Sequence, residues 1–232
     1  IKTKEYKGER IMTLDWQFIK SSLPLFWEAM VTTLRLGFFS IIISLFIGFI
    51  CSIILFYKVK LAKTIVMIYI ELSRNTPLLI QLFFIYFGLT KIGVHLSEST
   101  CAIIGLSFLG GSYMAEAFRS GLEAVSKTQI ESGLSIGLSK FQLIRYVILP
   151  QAFSVSMPSL GANCIFLLKE TSIVGAIAVV DLMNITKDLI GMYYKTAESL
   201  LILVIAYLII ILPLSLFLTW FERKVRYAEF GN

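Results

Sequence analysis

The sequence predicts an all-α integral membrane helical bundle, with about five transmembrane helices and a short cytoplasmic helix between two of them. Three observations lead there. Of the 232 residues, 57% are hydrophobic and 16% charged. Soluble domains run at about 45–50% and about 25%. The apolar residues are gathered into long runs rather than spread along the chain. The basic residues behind the formal net charge of +6 fall mostly between those runs. There they mark membrane flanks, and no nucleic-acid partner is expected.

A hydrocarbon core of ~30 Å needs ~20 helical residues at about 1.5 Å each. Five stretches reach that length: Phe26 to Tyr57, Leu61 to Leu89, Cys101 to Val125, Ala152 to Val174 and Leu200 to Phe221. Residues 1–20 then form a polar N-terminal segment without the apolar core of a cleavable signal. Residues 21–226 form one transmembrane domain, with a patterned loop at 126–150, and residues 227–232 a tail. Pro77 falls inside the second stretch, and Pro158 with Gly161 inside the fourth. A proline removes a backbone hydrogen bond, so each marks either a simple kink or broken backbone lining a cavity.

With five crossings the termini lie on opposite sides. Lys58, Lys60 and Lys63, the loop at 126–150, and Arg223, Lys224 and Arg226 then share one face. The positive-inside rule makes that face cytoplasmic and puts the N-terminus outside, although the N-terminal lysines pull the other way. Ser40, Ser44, Gly48 and Ser52 recur every fourth residue. Such a stripe of small residues predicts a close packing seam with another span or subunit.

Cys51, Cys101 and Cys164 are far apart in apolar surroundings and read as small buried hydrophobes. His95 is the only histidine, so no multi-histidine metal site is expected and no metal is assigned. No His–Glu zinc motif or clustered aspartate pair suggests a membrane-embedded enzyme.

The loop at 126–150 carries two capping boxes, Ser126 with Gln129 and Ser139 with Gln142. Gly137 between them suits a left-handed helix end. Two short amphipathic helices are predicted, joined at Gly137–Leu138. The first has Ile130 and Leu134 on one face. The second has Phe141, Ile144 and Ile148 on one stripe and stops before Pro150. Such a pair either connects two spans or presents a rigid knob to a partner.

Glu131-Ser-Gly-Leu-Ser-Ile-Gly137, nine residues, then Val147-Ile-Leu-Pro150 resembles the EAA loop of ABC importer permeases. Ser132 and Gly133 replace the two alanines, and Val147 replaces isoleucine. Gly133 is expected to loosen the helix by up to ~1 kcal/mol relative to Ala. Arg74-Asn-Thr-Pro-Leu-Leu-Ile-Gln81 is similar to the second-span signature of the polar amino acid permeases, with Asn75 in place of glycine. Ala115-Glu-Ala-Phe-Arg-Ser-Gly121 and Leu168-Lys-Glu-Thr-Ser172 resemble the same branch.

The resemblance implies a non-enzymatic permease subunit of a polar amino acid importer in the bacterial cytoplasmic membrane. It implies a coupling helix that docks in a groove of an ATPase subunit, through Gln129, Glu131, Ser132, Gly133, Gly137, Leu138, Phe141, Val147, Leu149 and Pro150. It also implies a pair of ATPase subunits, a second permease chain (identical or a sister) and an extracytoplasmic binding protein that delivers substrate. No G-x-x-x-x-G-K-[ST] phosphate loop occurs in the chain. ATP and Mg are therefore expected on the partner, with no cofactor on this chain. An ion-coupled secondary transporter is the alternative, but an odd span count without visible inverted repeats speaks against it.

Charges inside spans are costly and should face one another or water. A zwitterionic amino acid needs an acid, a base and neutral hydrogen-bonding partners. Arg74 or Lys169 could meet its carboxylate, and Glu116 or Glu170 its ammonium. Asn75, Thr76, Gln81, Thr171 and Ser172 could supply neutral bonds. In the other reading these charges only pair with each other. Glu71 and Arg119 read as flank or structural groups.

Overall fold

The computed structural model describes residues 14–230, with side chains described up to Val225. The prediction for the N-terminal lysines lies outside the described residues, as does most of that for the tail. All regular structure among the described residues is helical. Four helices are long and apolar enough to cross a membrane, and a broken helix pair supplies the fifth crossing.

The first, α1 (Trp16–Phe56), begins where the Asp15 carboxylate accepts a bond from the Phe18 amide at 3.0 Å. It starts ten residues before the predicted boundary at Phe26 and takes in the end of the polar N-terminal segment. At about 1.5 Å per residue it is roughly 60 Å long, twice a hydrocarbon core. It stops where Lys58 turns left-handed (φ 52°) and the Val59 amide donates back to the Ile54 carbonyl, a Schellman-type end.

The second predicted span is two helices, α2 (Lys60–Asn75) and α3 (Leu78–Lys91). Proline disfavours helical backbone in the residue before it, and Thr76 is extended at φ −114°, ψ 128°. Pro158 has no such effect. Its helix runs through it unbroken, so of the two predicted proline sites only Pro77 breaks the backbone.

Helix α4 (Glu98–Ala124) is the centre of the bundle. Some 67% of its apolar stretch is buried, against 17% for the last helix. It runs parallel to α1 along the predicted small-residue seam. Ser40, Ser44, Gly48 and Ser52 are all buried there. A Cβ added at Gly48 would overlap the Met114 Cβ and lie 2.7 Å from the Ala115 backbone nitrogen. One added at Gly111 would lie 2.7 Å from an Ile47 methyl. The seam therefore joins two spans of one chain, and dispersion across it is available only at this separation.

Helix α5 (Lys127–Ser135) is the predicted first loop helix. The predicted second loop helix does not stop before Pro150. It is the beginning of the fourth span, α6 (Lys140–Ile177), whose last turns from Thr171 tighten into a 3₁₀-helix. Between Ile144 and Ile148 lies a single π-turn. Pro150 lacks the amide that would bond the Tyr146 carbonyl in an α-helix, so a wider turn before it relieves that clash.

A short helix that sequence periodicity did not reveal follows, α7 (Leu182–Tyr193). It is capped by buried Asp181, whose carboxylate accepts from the Met183 and Asn184 amides. The last helix is α8 (Thr196–Phe230). Its first turn meets that of α1: the Asp15 amide donates to Glu198 at 3.0 Å, and Lys195 donates to Asp15 at 2.9 Å. Phe26, Ala29, Leu168, Leu189 and Leu203 form the apolar cluster beneath this junction.

Two outcomes follow. Gly48→Val should cost about 1–3 kcal/mol through overpacking, read as a lowered Tm of the purified protein in detergent. The α1–α8 junction should respond to pH. The Phe18 amide, and then Lys195, hold the Asp15 carboxyl below its ordinary value. The Asp15 carboxylate in turn holds the Lys195 ammonium above its own. The carboxyl contributes stability above its unfolded pKa of about 3.9, lost as pH falls through the lower folded value; the ammonium contributes below about 10.4, lost as pH rises through the higher one. Asp15→Asn should lower Tm at neutral pH and flatten its fall in acid, measured by thermal melts across pH.

Candidate functional site

The break at Thr76–Pro77 leaves helix-end carbonyls without amide partners, between buried Ser73 and buried Leu78. Gln81, one turn into α3, answers them. Its side-chain nitrogen donates to the Ser73 and Thr76 carbonyls, each at 2.9 Å. Ser73 ties the end of α2 to α4 through Phe108 O at 3.0 Å and Ser112 Oγ at 3.1 Å. Tyr69 adds a 2.7 Å bond to the Phe108 carbonyl. The last turn of α2 is thereby fixed against α4 by polar groups.

That turn carries Arg74. Its guanidinium forms an ion pair with Glu116 of α4 and lies 5.0 Å above the Tyr113 ring. Asn163 of α6 donates to the Tyr113 carbonyl at 3.2 Å, and Phe166 packs on the Tyr113 ring with centroids 5.2 Å apart. Arg119 bridges Glu116 at 3.8 Å and Glu123 at 3.4 Å. Asn75 folds back on Glu71, donating to its carbonyl at 2.8 Å and its carboxylate at 2.9 Å. Arg119 and Glu71 thus sit in local polar contacts, as their sequence reading has it. The Arg74 and Glu116 side chains remain 34% and 39% exposed. A polar cleft of about 290 Å³ continues from Glu116 past Glu71, Arg119 and Glu123 to Lys58 and Lys63.

The structure divides the remaining candidates. Thr76 is the extended residue of the break, and Gln81 is buried beneath it. Lys169, Glu170, Thr171 and Ser172 close the far end of α6, six or more residues beyond Asn163. At about 1.5 Å per residue that is roughly 9 Å or more along the helix. Thr171 is fully buried and bonds the Leu168 carbonyl at 2.8 Å. No ion pair among the described residues joins Lys169 or Glu170 to Arg74 or Glu116. The sequence reading passed over Tyr113 and Asn163. Tyr113 lies three residues before Glu116 and so on its helix face, a signal that was available. Asn163 is a single amide in an apolar span.

The loop follows the C-terminal end of α4. Both predicted capping boxes form, and Gly137 is left-handed at φ 85°. Gln129 serves as the capping side chain at Ser126. Glu131 and Ser132 are exposed. Gly133 is buried instead of merely loosening the helix: a Cβ there would come 2.6 Å from the Leu143 δ-methyl. The face pressed inward is Ile130 with Gly133, together with Leu138, Leu143, Ile144 and Val147. The predicted partner of Ile130, Leu134, points outward. Phe141 also leaves its predicted stripe and is 71% exposed. The π-turn accounts for this, because the inward residues Leu143 and Ile148 are five apart across it, and Ile148 and Ala152 four apart beyond it. Ile136 is 78% exposed as well, and Leu149 and Pro150 begin the transmembrane part.

A helical membrane bundle with paired charges among its spans and an apolar knob at one end is a membrane transport component. The chain belongs to the family of binding-protein-dependent transport system inner membrane components, which matches residues 40–227. It is 35% identical over 216 residues to the probable amino-acid permease protein YxeN of Bacillus subtilis, covering 92% of this chain and 96% of that one. It is 33% identical over 168 residues to the glutamine transport system permease protein GlnP of Escherichia coli, covering 72% and 77%. A solved amino acid ABC transporter with histidines superposes with a TM-score of 0.84 at 33% identity, covering 92% of this chain and all of that chain. The MetNI methionine transporter, at 21% identity and a TM-score of 0.73 over 89% of the chain, shares the fold.

Gln81→Leu should destabilise the protein by about 1–3 kcal/mol by leaving carbonyls unpaired. The measurement is Tm together with substrate affinity: a loss of Tm marks the role at the break, and a loss of affinity at unchanged Tm would reject it.

Proposed function

We propose that this chain is the permease subunit of an ATP-binding-cassette importer for a polar amino acid, with Arg74 and Glu116 as the counter-charges of the substrate. The observation that carries this is their ion pair, partly exposed on the bundle face. A charge at the bilayer centre costs about 2.5–3.5 kcal/mol, so that face meets water or a second chain rather than lipid. An amino acid presents the same two charges as the pair. Its carboxylate can replace Glu116 on Arg74 and its ammonium can replace Arg74 on Glu116, so entry leaves neither residue unpaired. Tyr113 and Asn163 border this exchange. Lys169, Glu170, Thr171 and Ser172 lie nearer the end at which α1 and α8 begin, where the substrate would arrive from a binding protein. The relatives named for amino-acid and glutamine transport support this substrate class.

In this reading the α5 knob faces the cytoplasm and the described N-terminal end faces outside, with the C-terminus inside. Ile136 and Phe141 seat in an ATPase subunit, which holds ATP and Mg. Two such subunits serve two permease chains, identical or sister. Closure of the ATPase pair pushes α5, and α6 carries the push to Asn163 as one continuous helix.

Glu116→Gln should reduce amino acid uptake in proteoliposomes at least tenfold while basal ATP hydrolysis and assembly persist; unchanged uptake would reject the counter-charge role. Ile136→Asp with Phe141→Asp should release the ATPase on affinity purification while the chain stays in the membrane. Undiminished co-purification would reject the docking assignment.

A further inference from the structure

A second cavity, of about 200 Å³, opens beside the cytoplasmic ends of α1, α4 and α6. It is separate from the polar cleft and opposite to it in chemistry. Phe49, Ile53, Phe118, Ile148 and Phe153 line it, with Tyr57 at its end. Its two serines have their hydroxyl protons committed. Ser52 donates to the Phe49 carbonyl and Ser156 to the Ala152 carbonyl, each at 2.8 Å. An amino acid in this space would lose its water and find no charged partner in the lining.

The rim differs from the wall. Arg145 follows the lining residue Ile144, is exposed, and lies over the Tyr146 ring at 5.9 Å. It makes no ion pair among the described residues. In sequence, Lys58 follows the lining residue Tyr57, with Lys60 beyond it. Lys58 also lines the polar cleft, as Glu123 does. Basic residues next in sequence to the lining of an apolar groove between spans, with Tyr57 in that lining and Tyr146 under Arg145, match an anionic lipid: phosphate at the rim and acyl chain within. One wall of the groove, Ile144, Ile148 and Leu149, is the π-turn of α6 and the residue after it.

We infer that this groove holds one acyl chain of an anionic phospholipid of the cytoplasmic leaflet, with its phosphate on Arg145 and the Lys58–Lys60 turn, so that the lipid braces the π-turn linking the coupling knob to its span. The choice of leaflet rests on the orientation adopted in the proposed function.

The test is native mass spectrometry of the intact transporter taken from nanodiscs of equal phosphatidylglycerol and phosphatidylethanolamine. The wild type should retain phosphatidylglycerol at least fivefold over phosphatidylethanolamine. Ile53→Trp, which fills the groove from a half-exposed position, should reduce retained lipid at least fivefold. Arg145→Gln, a surface change that leaves the fold intact, should abolish the headgroup preference. Equal retention of the two lipids, no retention, or retention unaltered by both variants would overturn the inference. The measurement uses neither substrate nor ATP. Failed uptake assays would therefore leave it standing, and failed retention would leave the importer reading standing.

Discussion

The bundle depends on how closely α1 approaches α4. In lipid no hydrophobic force pulls two apolar helices together, so packing at short range has to do so. Ser40, Ser44, Gly48 and Ser52 on one side, and Gly110, Gly111 and Ala115 on the other, remove the side chains that would hold the backbones apart. With α4 fixed on α1, its other faces become platforms. One receives α6, where a Cβ at Gly121 would overlap the Ala152 carbonyl and Ser156 hydroxyl. Another receives the last turn of α2, through Tyr69 and Ser73. Arg74 and Glu116 meet because both of their helices are referenced to that seam.

The second constraint is the interruption at Thr76–Pro77. An unbroken helix would have no need of Gln81 and would leave Ser73 and Thr76 carbonyls bonded along the axis. Broken, it ends α2 one residue beyond Arg74, and the freed carbonyls are gathered by one side chain instead of by water. Backbone of this kind is tolerated at membrane depth only where protein or a cavity surrounds it, and buried Ser73, Leu78 and Gln81 supply the protein side of that setting. Gln81, read from sequence as a neutral group for substrate, has its nitrogen committed to this repair.

Much of the architecture was legible because membrane spans are written in long apolar runs and caps in short local patterns. The small-residue stripe, both capping boxes and the left-handed Gly137 follow from residues within one or two turns of each other. What escaped needed knowledge of the third dimension. Helix α7 is short, and its start depends on Asp181 being buried against neighbours. The fate of Pro77 and Pro158 differs although the residue is the same: the backbone before Pro77 is extended and Gln81 takes up the freed carbonyls, whereas the helix runs on through Pro158. Asn163 looks like any amide in an apolar run until Tyr113 is set opposite it. The outward turn of Phe141 could not be read from a regular period, since the period itself changes downstream.

That change of period has the character of a dislocation in a crystal. One surplus residue in the turn at Ile144–Ile148 rotates everything on its N-terminal side by about 100° relative to an ideal helix. Phe141 and Leu143 exchange the roles that an ideal helix would assign them, so the face offered to solvent is chosen by a fault several residues away. Surface identity at the tip and packing identity in the span are thereby decoupled: either stretch can change its apolar pattern without dictating that of the other, provided the fault between them is kept.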